Sequence, residues 1–331
     1  MLALAVLGAG RIGAIHAANA ARHPRVHLAW VVDPVQDAAR RLAAATGAEA
    51  GCDPLAAIAD PAVDAVVISS PTATHIDLIR AAVAAGKAVL CEKPVGLDFA
   101  AARACLRDVG AGGRVMIGFN RRFDPAFAET HRRVAAGEIG RLEQLIIVSR
   151  DPTPPSPAYV AGSGGLFRDM TIHDFDLARF FLGEITSVQA FGQNIIDPAI
   201  AAAGDNDAGV AILTAADGAA ASIVNSRRCV AGYDQRLEAF GAAGLLSVDN
   251  ITATTVRSST AAATGAASPW LDFFLERYAA AYERELAAFV AAVEAGAEFC
   301  PSLADGVKAL AIADAAVLSA QTKRAVVPAA V

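Results

Sequence analysis

The segment of the chain best suited to moving a proton lies in its second half. Residues 169–176 read DMTIHDFD, so in a helix Asp169, His173 and Asp176 would share one face. An imidazole can take the proton of a hydroxyl group, and neighbouring carboxylates would orient the ring and stabilise its cation. The pattern predicts a general base. A solvated acidic helix face and an Asp/His metal site are the alternatives.

A lysine in the first half could act on the same oxygen. Lys93 follows an apolar run and precedes Pro94. An ammonium group there could hydrogen-bond a reacting oxygen and favour its alkoxide-like form, so that no metal is required. A surface charge paired with Glu92 is the other interpretation. We expect Lys93, Asp169 and His173 to be the catalytic residues.

A glycine turn predicts a dinucleotide site. Residues 8–13 read GAGRIG and follow an apolar run, and Asp33 stands 20 residues after Gly13. Such glycines allow a tight turn, a close approach to a pyrophosphate and close helix–sheet packing. Asp33 could accept hydrogen bonds from both ribose hydroxyls, and because no Arg follows it directly, NAD is favoured over NADP. A purely structural turn is the alternative.

Two later segments also follow apolar runs, at residues 69–75 (SSPTATH) and 91–94 (CEKP). In open α/β sheets, ligands bind at the carboxyl ends of the strands. His75 alone is more typical of a structural histidine than of a ligand. The predicted cofactor-binding residues are Gly8, Gly10, Arg11, Ile12, Gly13, Asp33, Ser69, Ser70, Thr72, His75, Glu92 and Lys93.

The elements that would hold these residues divide into two patterns. Before residue 120, apolar strands at 2–7, 26–33, 65–69, 87–91 and 114–119 alternate with helices at 11–22, 35–46, 72–85 and 98–109, which indicates a doubly wound parallel sheet. Beyond it we expect helices at 125–136, 166–182, 270–294 and 303–322, a strand at 142–149, successive strands at 187–256 and a surface loop at 258–268.

The fold class is therefore α/β, with a Rossmann domain at 1–120 and an α+β domain with a mainly antiparallel open sheet at 121–331. The last helices could pack back on the first domain. The chain has 331 residues, 55% of them apolar, and a net charge of −6 without any Lys/Arg block. Five scattered cysteines, no C-x-x-C and no apolar run of about 18 residues favour a cytoplasmic protein without a nucleic-acid or membrane partner.

Four motifs together resemble the Gfo/Idh/MocA oxidoreductases, and within them the inositol dehydrogenases. They are residues 8–13, 92–94, 118–125 (GFNRRFDP) and 164–176 (GGLFRDMTIHDFD). The resemblance implies a Rossmann domain, a second domain whose open sheet supports a homodimer or homotetramer, and a Lys, Asp, His catalytic set that matches Lys93, Asp169 and His173. It also implies a cis peptide bond before Pro94.

The resemblance further implies NAD-dependent oxidation of a ring hydroxyl of a small polyol, above all myo-inositol to 2-keto-myo-inositol. The predicted substrate-binding residues are Lys93, Asn120, Arg122, Asp169, His173, Asp176 and Tyr233. Taken alone, the adjacent arginines at 121 and 122 are as often solvated as functional, and Tyr233 is more typical of packing. A dehydrogenase for scyllo-inositol or a pyranose, or a non-catalytic dinucleotide sensor, are the alternative functions.

Overall fold

The computed structural model describes residues 1–110 and 112–331, with the backbone alone at residue 161. The chain forms two compact units. The first comprises Met1–Phe123, Ala281–Leu310 and Val331, and the second comprises Asp124–Ala280 and Ala311–Ala330. The predicted boundary at residue 120 falls three residues before the end of the first segment.

The first unit is built on a six-stranded parallel sheet in the order β3-β2-β1-β4-β5-β6. Its strands are β1 Leu2–Leu7, β2 Val26–Val32, β3 Glu49–Gly51, β4 Ala65–Ile68, β5 Ala88–Glu92 and β6 Val115–Gly118. Its helices are α1 Arg11–Arg22, α2 Gln36–Thr46, α3 Pro54–Ala59, α4 His75–Ala84 and α5 Phe99–Val109. The strand order reverses between β1 and β4, so their carboxyl ends flank the switch point at which such sheets bind ligands.

The apolar runs predicted as strands are the buried core of this sheet. Every residue of β4, β5 and β6 is buried, because the parallel strands are covered on both faces. Asp98 caps α5 by accepting a hydrogen bond from the Ala101 amide at 2.7 Å, and Gly47 ends α2 in the left-handed conformation. The elements β3 and α3 were not predicted, since a three-residue edge strand carries no apolar run.

The second unit contains a six-stranded sheet in the order β12-β11-β7-β10-β9-β8. Its strands are β7 Leu142–Arg150, β8 Ile185–Gln193, β9 Ala208–Ala215, β10 Ala220–Ser226, β11 Asp234–Gly241 and β12 Gly244–Val248. Only the pair of β7 and β10 is parallel among these described strands, so the sheet is mainly antiparallel as expected. The α/β fold class is confirmed.

The helices of the second unit are α6 Pro125–Ala135, α7 Pro157–Ser163, α8 Leu166–Asp169, α9 Ile172–Leu182, α10 Pro198–Ala202 and α11 Phe274–Arg277. Helices α12 Ala279–Ala295 and α13 Leu303–Thr322 supply residues to both units. Helix α9 packs on β7 and β10, whose inward side chains include the buried Leu145, Ile147 and Ile223. The described residues include no helix with both the length and the apolar character needed to cross a bilayer.

Four predicted elements differ from the structure. The successive strands expected at 187–256 are interrupted by helix α10 and end at Val248. The helix expected at 166–182 is interrupted between α8 and α9, and the helix expected at 270–294 begins only at Phe274 and is interrupted at Tyr278. The segment expected as a loop at 258–268 contains part of a two-stranded hairpin, β13 Arg257–Ser258 and β14 Ala266–Ala267. Periodicity alone did not reveal the two helix interruptions, after Asp169 and at Tyr278, because apolar residues continue across both of them.

Candidate active site

The fold requires glycine at two of the three positions of the glycine turn in the first unit. Gly8 has a φ of +112° and approaches the Ser69 backbone so closely that a Cβ would lie 2.7 Å from it. A Cβ on Gly13 would lie 1.9 Å from the Gly8 carbonyl oxygen, so this glycine permits helix α1 to pack against the turn. A Cβ on Gly10 would meet no protein atom within 4 Å, so the fold itself does not require glycine there.

These constraints fit a dinucleotide. Gly10 is the N-cap of α1 and has no side chain to bond the first amides of the helix, which Arg11 and Ile12 open. A helix start of this kind offers N–H groups and a partial positive charge to phosphates. Gly10 is then the residue expected to keep room for the pyrophosphate of NAD.

Asp33 is fixed at the carboxyl end of β2. One of its carboxylate oxygens accepts a hydrogen bond from the Ala9 amide and the other from the Val35 amide, each at 2.8 Å. The carboxylate is half-buried beside the glycine turn. A carboxylate at the end of the second strand beside such a turn is the group that contacts a ribose in dinucleotide-binding folds, and the contact of Asp33 with NAD stays a prediction.

Residues 69–74, which follow β4, are held in place by hydrogen bonds of their own side chains. Ser69 Oγ donates to the Leu7 or the Gly8 carbonyl at 3.2 Å, and the Ser70 and Thr74 hydroxyls are 2.6 Å apart. Thr72 opens the short 3-10 helix that precedes α4. These contacts position the turn opposite Gly8, and the direct contacts with NAD predicted for Ser69, Ser70 and Thr72 stay predictions.

His75 connects the segments that follow β4 and β5. Its Nδ1 lies 2.8 Å from the Pro94 carbonyl oxygen and its Nε2 lies 2.9 Å from the Ser70 carbonyl oxygen. The ring is 1% exposed, and burial lowers the pKa of His75. Since both ring nitrogens face backbone oxygens, we interpret His75 as a positioning residue; the contact with NAD stays a prediction.

The Glu-Lys-Pro segment ends β5. Glu92 is buried and its Oε1 lies 2.8 Å from His16 Nε2 on α1. Lys93 is half-buried, and the Lys93–Pro94 peptide bond is cis, as the resemblance implied. One carboxylate oxygen of Glu92 is engaged by His16, and the interpretation of Lys93 as a surface charge paired with Glu92 stays an alternative.

Asn120 and the arginines at 121 and 122 form a short 3-10 helix and are all buried. The Arg122 guanidinium lies 3.5 Å from the Asp305 carboxylate on α13 and 3.6 Å from Cys300 Sγ. The arginines are therefore not solvated surface charges. Arg122 is held by an ion pair within the first unit, and its contact with substrate, like that of Asn120, stays a prediction.

In the second unit, the proposed base lies next to a break between two helices. Asp169 is the last residue of α8, whereas His173 lies in the first turn of α9. The single helix expected across Asp169, His173 and Asp176 is interrupted at Met170 and Thr171, so Asp169 lies on a different helix from the other two. His173 is half-buried and Asp176 is 1% exposed.

A buried polar network anchors the start of α9. Asp174 is fully buried and accepts hydrogen bonds from Ser149 Oγ on β7 and Asn225 Nδ2 on β10, each at 2.7 Å. Thr171 Oγ1 donates to Asn225 Oδ1 at 2.7 Å. These bonds join the helix to two strands of the sheet. They fix the backbone that carries His173, because buried polar groups are costly to leave unbonded.

Asp169 is held by two residues that sequence reasoning did not single out. Tyr159 Oη donates to its Oδ1 at 2.9 Å, and Arg227 Nη1 lies 3.6 Å from its Oδ2. Burial and the neighbouring Asp169 charge raise the pKa of Tyr159, so its hydroxyl stays a donor. Arg227 is 1% exposed although it precedes the exposed Arg228, and no spacing in the sequence distinguishes the two.

Tyr233 is buried in an aromatic cluster. Its ring lies edge-on to Phe273 at 5.8 Å and to Tyr278 at 5.9 Å between ring centroids. These contacts support the packing role that the residue type favours. A contact between its hydroxyl and a substrate stays a prediction.

Models of two protein domains match most of the chain. Residues 2–119 match the oxidoreductase family with an NAD-binding Rossmann fold, and residues 127–247 match the GFO/IDH/MocA C-terminal domain. The chain belongs to the Gfo/Idh/MocA oxidoreductases. The resemblance stated from the four motifs is confirmed, and the first unit carries the NAD-binding domain of this family.

Members of the Gfo/Idh/MocA family with full-length similarity include several inositol dehydrogenases. The chain is 47% identical to an inositol 2-dehydrogenase of Rhizobium meliloti, over 96% of this chain and 97% of that one. A myo-inositol dehydrogenase from Corynebacterium glutamicum with a solved crystal structure shares 51% sequence identity with this chain. The two structures match with a TM-score of 0.97 over 100% of both chains. A scyllo-inositol dehydrogenase of Lactobacillus casei, solved with NAD(H) and scyllo-inositol, is 30% identical, with a TM-score of 0.91 over 100% of both chains.

Proposed function

We propose that this protein is an NAD-dependent dehydrogenase that oxidises a ring hydroxyl of a cyclitol, with myo-inositol as substrate and 2-keto-myo-inositol as product. The observation that carries the proposal is the anchoring of the Asp169 carboxylate, and of the backbone that carries His173, at the junction of α8 and α9. It provides an imidazole on a fixed backbone next to a fixed carboxylate, which are groups that the oxidation of an alcohol needs. The full-length similarity to inositol dehydrogenases supports the choice of substrate class.

In the proposed reaction the carbinol carbon loses a hydride and its hydroxyl loses a proton. His173 takes the proton, while Asp169 orients the imidazole and stabilises the cation that forms. Lys93 donates a hydrogen bond to the same oxygen and stabilises its developing negative charge. Bound NAD supplies the hydride acceptor.

The cofactor preference rests on Asp33. Its carboxylate is anchored to two amides beside the glycine turn and presents acceptors to a ribose. A 2′-phosphate at the same place would meet a negative charge, so we propose that NAD is used in preference to NADP.

The remaining substrate contacts are proposed for Asn120, Arg122, Asp176 and Tyr233. A buried arginine suits a polyol because its guanidinium offers several N–H donors in a fixed plane. Asn120 lies on the same 3-10 helix and is buried, with no hydrogen-bond partner for its Oδ1 among the described residues. These positions determine which hydroxyls of the ring are recognised.

Scyllo-inositol is the second candidate substrate, and the structural similarity to the enzyme of Lactobacillus casei favours it. Scyllo-inositol and myo-inositol differ only in the orientation of one hydroxyl, and the same base and ammonium could act on either. A pyranose is a third possibility within the same chemistry. A non-catalytic dinucleotide sensor would bind NAD without turning over any of these compounds.

The test is the reduction of NAD and of NADP with a panel of myo-inositol, scyllo-inositol and pyranoses, followed by absorbance. We expect the highest kcat/KM with myo-inositol and NAD, and a loss in kcat of about 10²–10⁴-fold in His173→Ala, because the general base is removed. His27→Ala, at an exposed position, is the matched control. Turnover that survives His173→Ala with little loss would contradict the assignment, and tight NAD binding without turnover would favour the sensor.

We also propose that the protein forms a homodimer or homotetramer through the open face of its second sheet. Cross-strand pairing places Ile146 and Ile212 on one face with Ser222 between them, and Phe240 and Leu245 pair on neighbouring strands. Ile146, Ile212, Phe240 and Leu245 are each at least 40% exposed. An apolar sheet face of this kind is typical of a subunit interface.

We further propose a cytoplasmic location. The five cysteines are all free, which fits a reducing compartment.

A further inference from the structure

Three buried titratable side chains meet behind the Glu-Lys-Pro segment of the first unit. They are His16 on α1, Glu92 at the end of β5 and Glu285 on α12. One ligand-type atom of each lies within 4.8 Å of the others. His16 Nε2 and Glu92 Oε1 are 2.8 Å apart, and since a carboxylate only accepts, the imidazole donates.

Glu285 is the unusual member of this cluster. It is fully buried, and neither of its carboxyl oxygens accepts a hydrogen bond from any described residue. Its neighbour on α12, Leu286, belongs to the hydrophobic core of the first unit. Because an ionised carboxylate buried without a partner is far more costly than a neutral acid, the position disfavours a negative charge.

The carboxylate of Glu92 also disfavours a negative charge on Glu285. Glu92 faces it from β5, and His16 faces it from α1 with its ring edge-on to Tyr282 at 5.7 Å between centroids. Ionised Glu285 would place a second negative charge beside Glu92 in a dry interior. Burial and the Glu92 charge raise the pKa of Glu285 well above its ordinary value.

We propose that Glu285 is a neutral carboxylic acid whose proton faces the Glu92 carboxylate, so that Glu92 is held by His16 on one side and by Glu285 on the other. Glu92 directly precedes Lys93, and the pair therefore fixes the backbone from which the proposed catalytic lysine extends. Glu285 is a positioning residue. Its effect on turnover rests on the proposed function, whereas its protonation does not.

A divalent cation is the competing occupant, because one histidine and two carboxylates are ligand types that zinc accepts. The separation of 2.8 Å between His16 Nε2 and Glu92 Oε1 is that of a hydrogen bond. All three side chains are buried, so no open position for a metal-bound substrate is provided. The geometry favours a proton over a metal ion.

The first experiment measures melting temperature against pH for the wild type and Glu285→Gln. A neutral acid in the folded state keeps a proton that the unfolded chain releases above its pKa of about 4.3, so wild-type stability falls as pH rises. Glutamine has no such proton. The melting temperature of the variant should therefore rise progressively relative to that of the wild type from about pH 5 upward. This change corresponds to a factor of up to tenfold in the folding equilibrium constant per pH unit.

Glu283→Gln is the matched control, because this residue lies on the same helix with 58% of its side chain exposed. Its melting temperature should follow the wild type at every pH. A difference between Glu285→Gln and wild type that does not change with pH would overturn the proposal, since Glu285 would then carry the same charge folded and unfolded.

The second experiment uses infrared difference spectra and metal analysis of the intact protein. We expect a C=O stretching band of a protonated carboxyl group at neutral pH that is lost in Glu285→Gln and kept in Glu283→Gln. A stoichiometric divalent metal that is lost in Glu285→Gln would overturn the proposal in favour of a metal site.

The third experiment separates positioning from bulk stability. Glu285→Gln retains an N–H donor toward Glu92, whereas Glu285→Leu has none. We expect near wild-type kcat in the first and about a tenfold lower kcat with unchanged NADH affinity in the second. Equal activity in both would overturn the positioning role. Absence of turnover in the wild type would count against the proposed function alone, because the first two experiments decide the protonation of Glu285.

Discussion

The Arg227 guanidinium lies between the carboxylates of Asp169 and Asp205. Its Nη1 is 3.6 Å from Asp169 Oδ2, and its Nη2 is 3.5 Å from Asp205 Oδ2. Arg227 is 1% exposed, so this charge contact is little screened by solvent. Together with the hydrogen bond from Tyr159, it restrains both oxygens of the carboxylate assigned to orient His173.

We expect Arg227→Met to lower kcat by about 10- to 100-fold, because one restraint on Asp169 is lost and its carboxylate can turn away from His173. Arg227→Lys should lose less, since it keeps the charge. The measurement is kcat and KM with NAD and the preferred cyclitol, together with the melting temperature.

Arg228→Met is the control for Arg227, since the neighbouring side chain is exposed. It should behave like the wild type. An unchanged kcat in folded Arg227→Met would show that Asp169 does not depend on this cation.

The glycine turn offers a test that separates cofactor binding from folding. Gly10→Ala should keep the wild-type melting temperature, because the new Cβ meets no protein atom within 4 Å, yet weaken NADH binding by about tenfold or more. Gly13→Ala should lower the melting temperature, because its Cβ would lie 1.9 Å from the Gly8 carbonyl oxygen. Calorimetry and NADH fluorescence titration measure both effects. Unchanged NADH affinity in Gly10→Ala would place the pyrophosphate elsewhere.

The proposed subunit interface is tested by placing a charge at its centre. Ile212→Asp should reduce the molecular mass in solution, because a buried unpaired carboxylate opposes association. Light scattering after size-exclusion chromatography measures the mass. Leu55→Asp, at a 56% exposed leucine of the first unit, should leave the mass unchanged. An Ile212→Asp protein with the wild-type mass would exclude this face.

The sequence predicts the first unit well because local patterns determine it. The strands β1, β4, β5 and β6 are nearly continuous apolar runs, and glycine or Asp residues mark the adjoining helix ends, so predicted and observed bounds differ by one residue or less at most ends. The exceptions are β3 and α3. The edge strand Glu49–Gly51 is defined by its pairing with β2. Sequence periodicity does not reveal such a pairing.

The second unit was less predictable at its most important position. The break after Asp169 lies within a continuous helical pattern, and beside it the hydroxyl of the buried Thr171 bonds to Asn225, 54 residues away. Contacts of this range leave no local signature. The same holds for Glu285, which lies on a predicted helix but becomes notable only because the fold brings it to Glu92.

The anchoring of Asp174 to Ser149 and Asn225 has a consequence for protein engineering, because it separates the stability of helix α9 from the choice of substrate. The buried bonds that hold the helix of the proposed base His173 lie within the second unit. On the proposed function, residues that contact the polyol from other elements can therefore be exchanged while these bonds keep the helix in place. A scaffold of this kind suits the evolution of new stereochemical preferences by small steps.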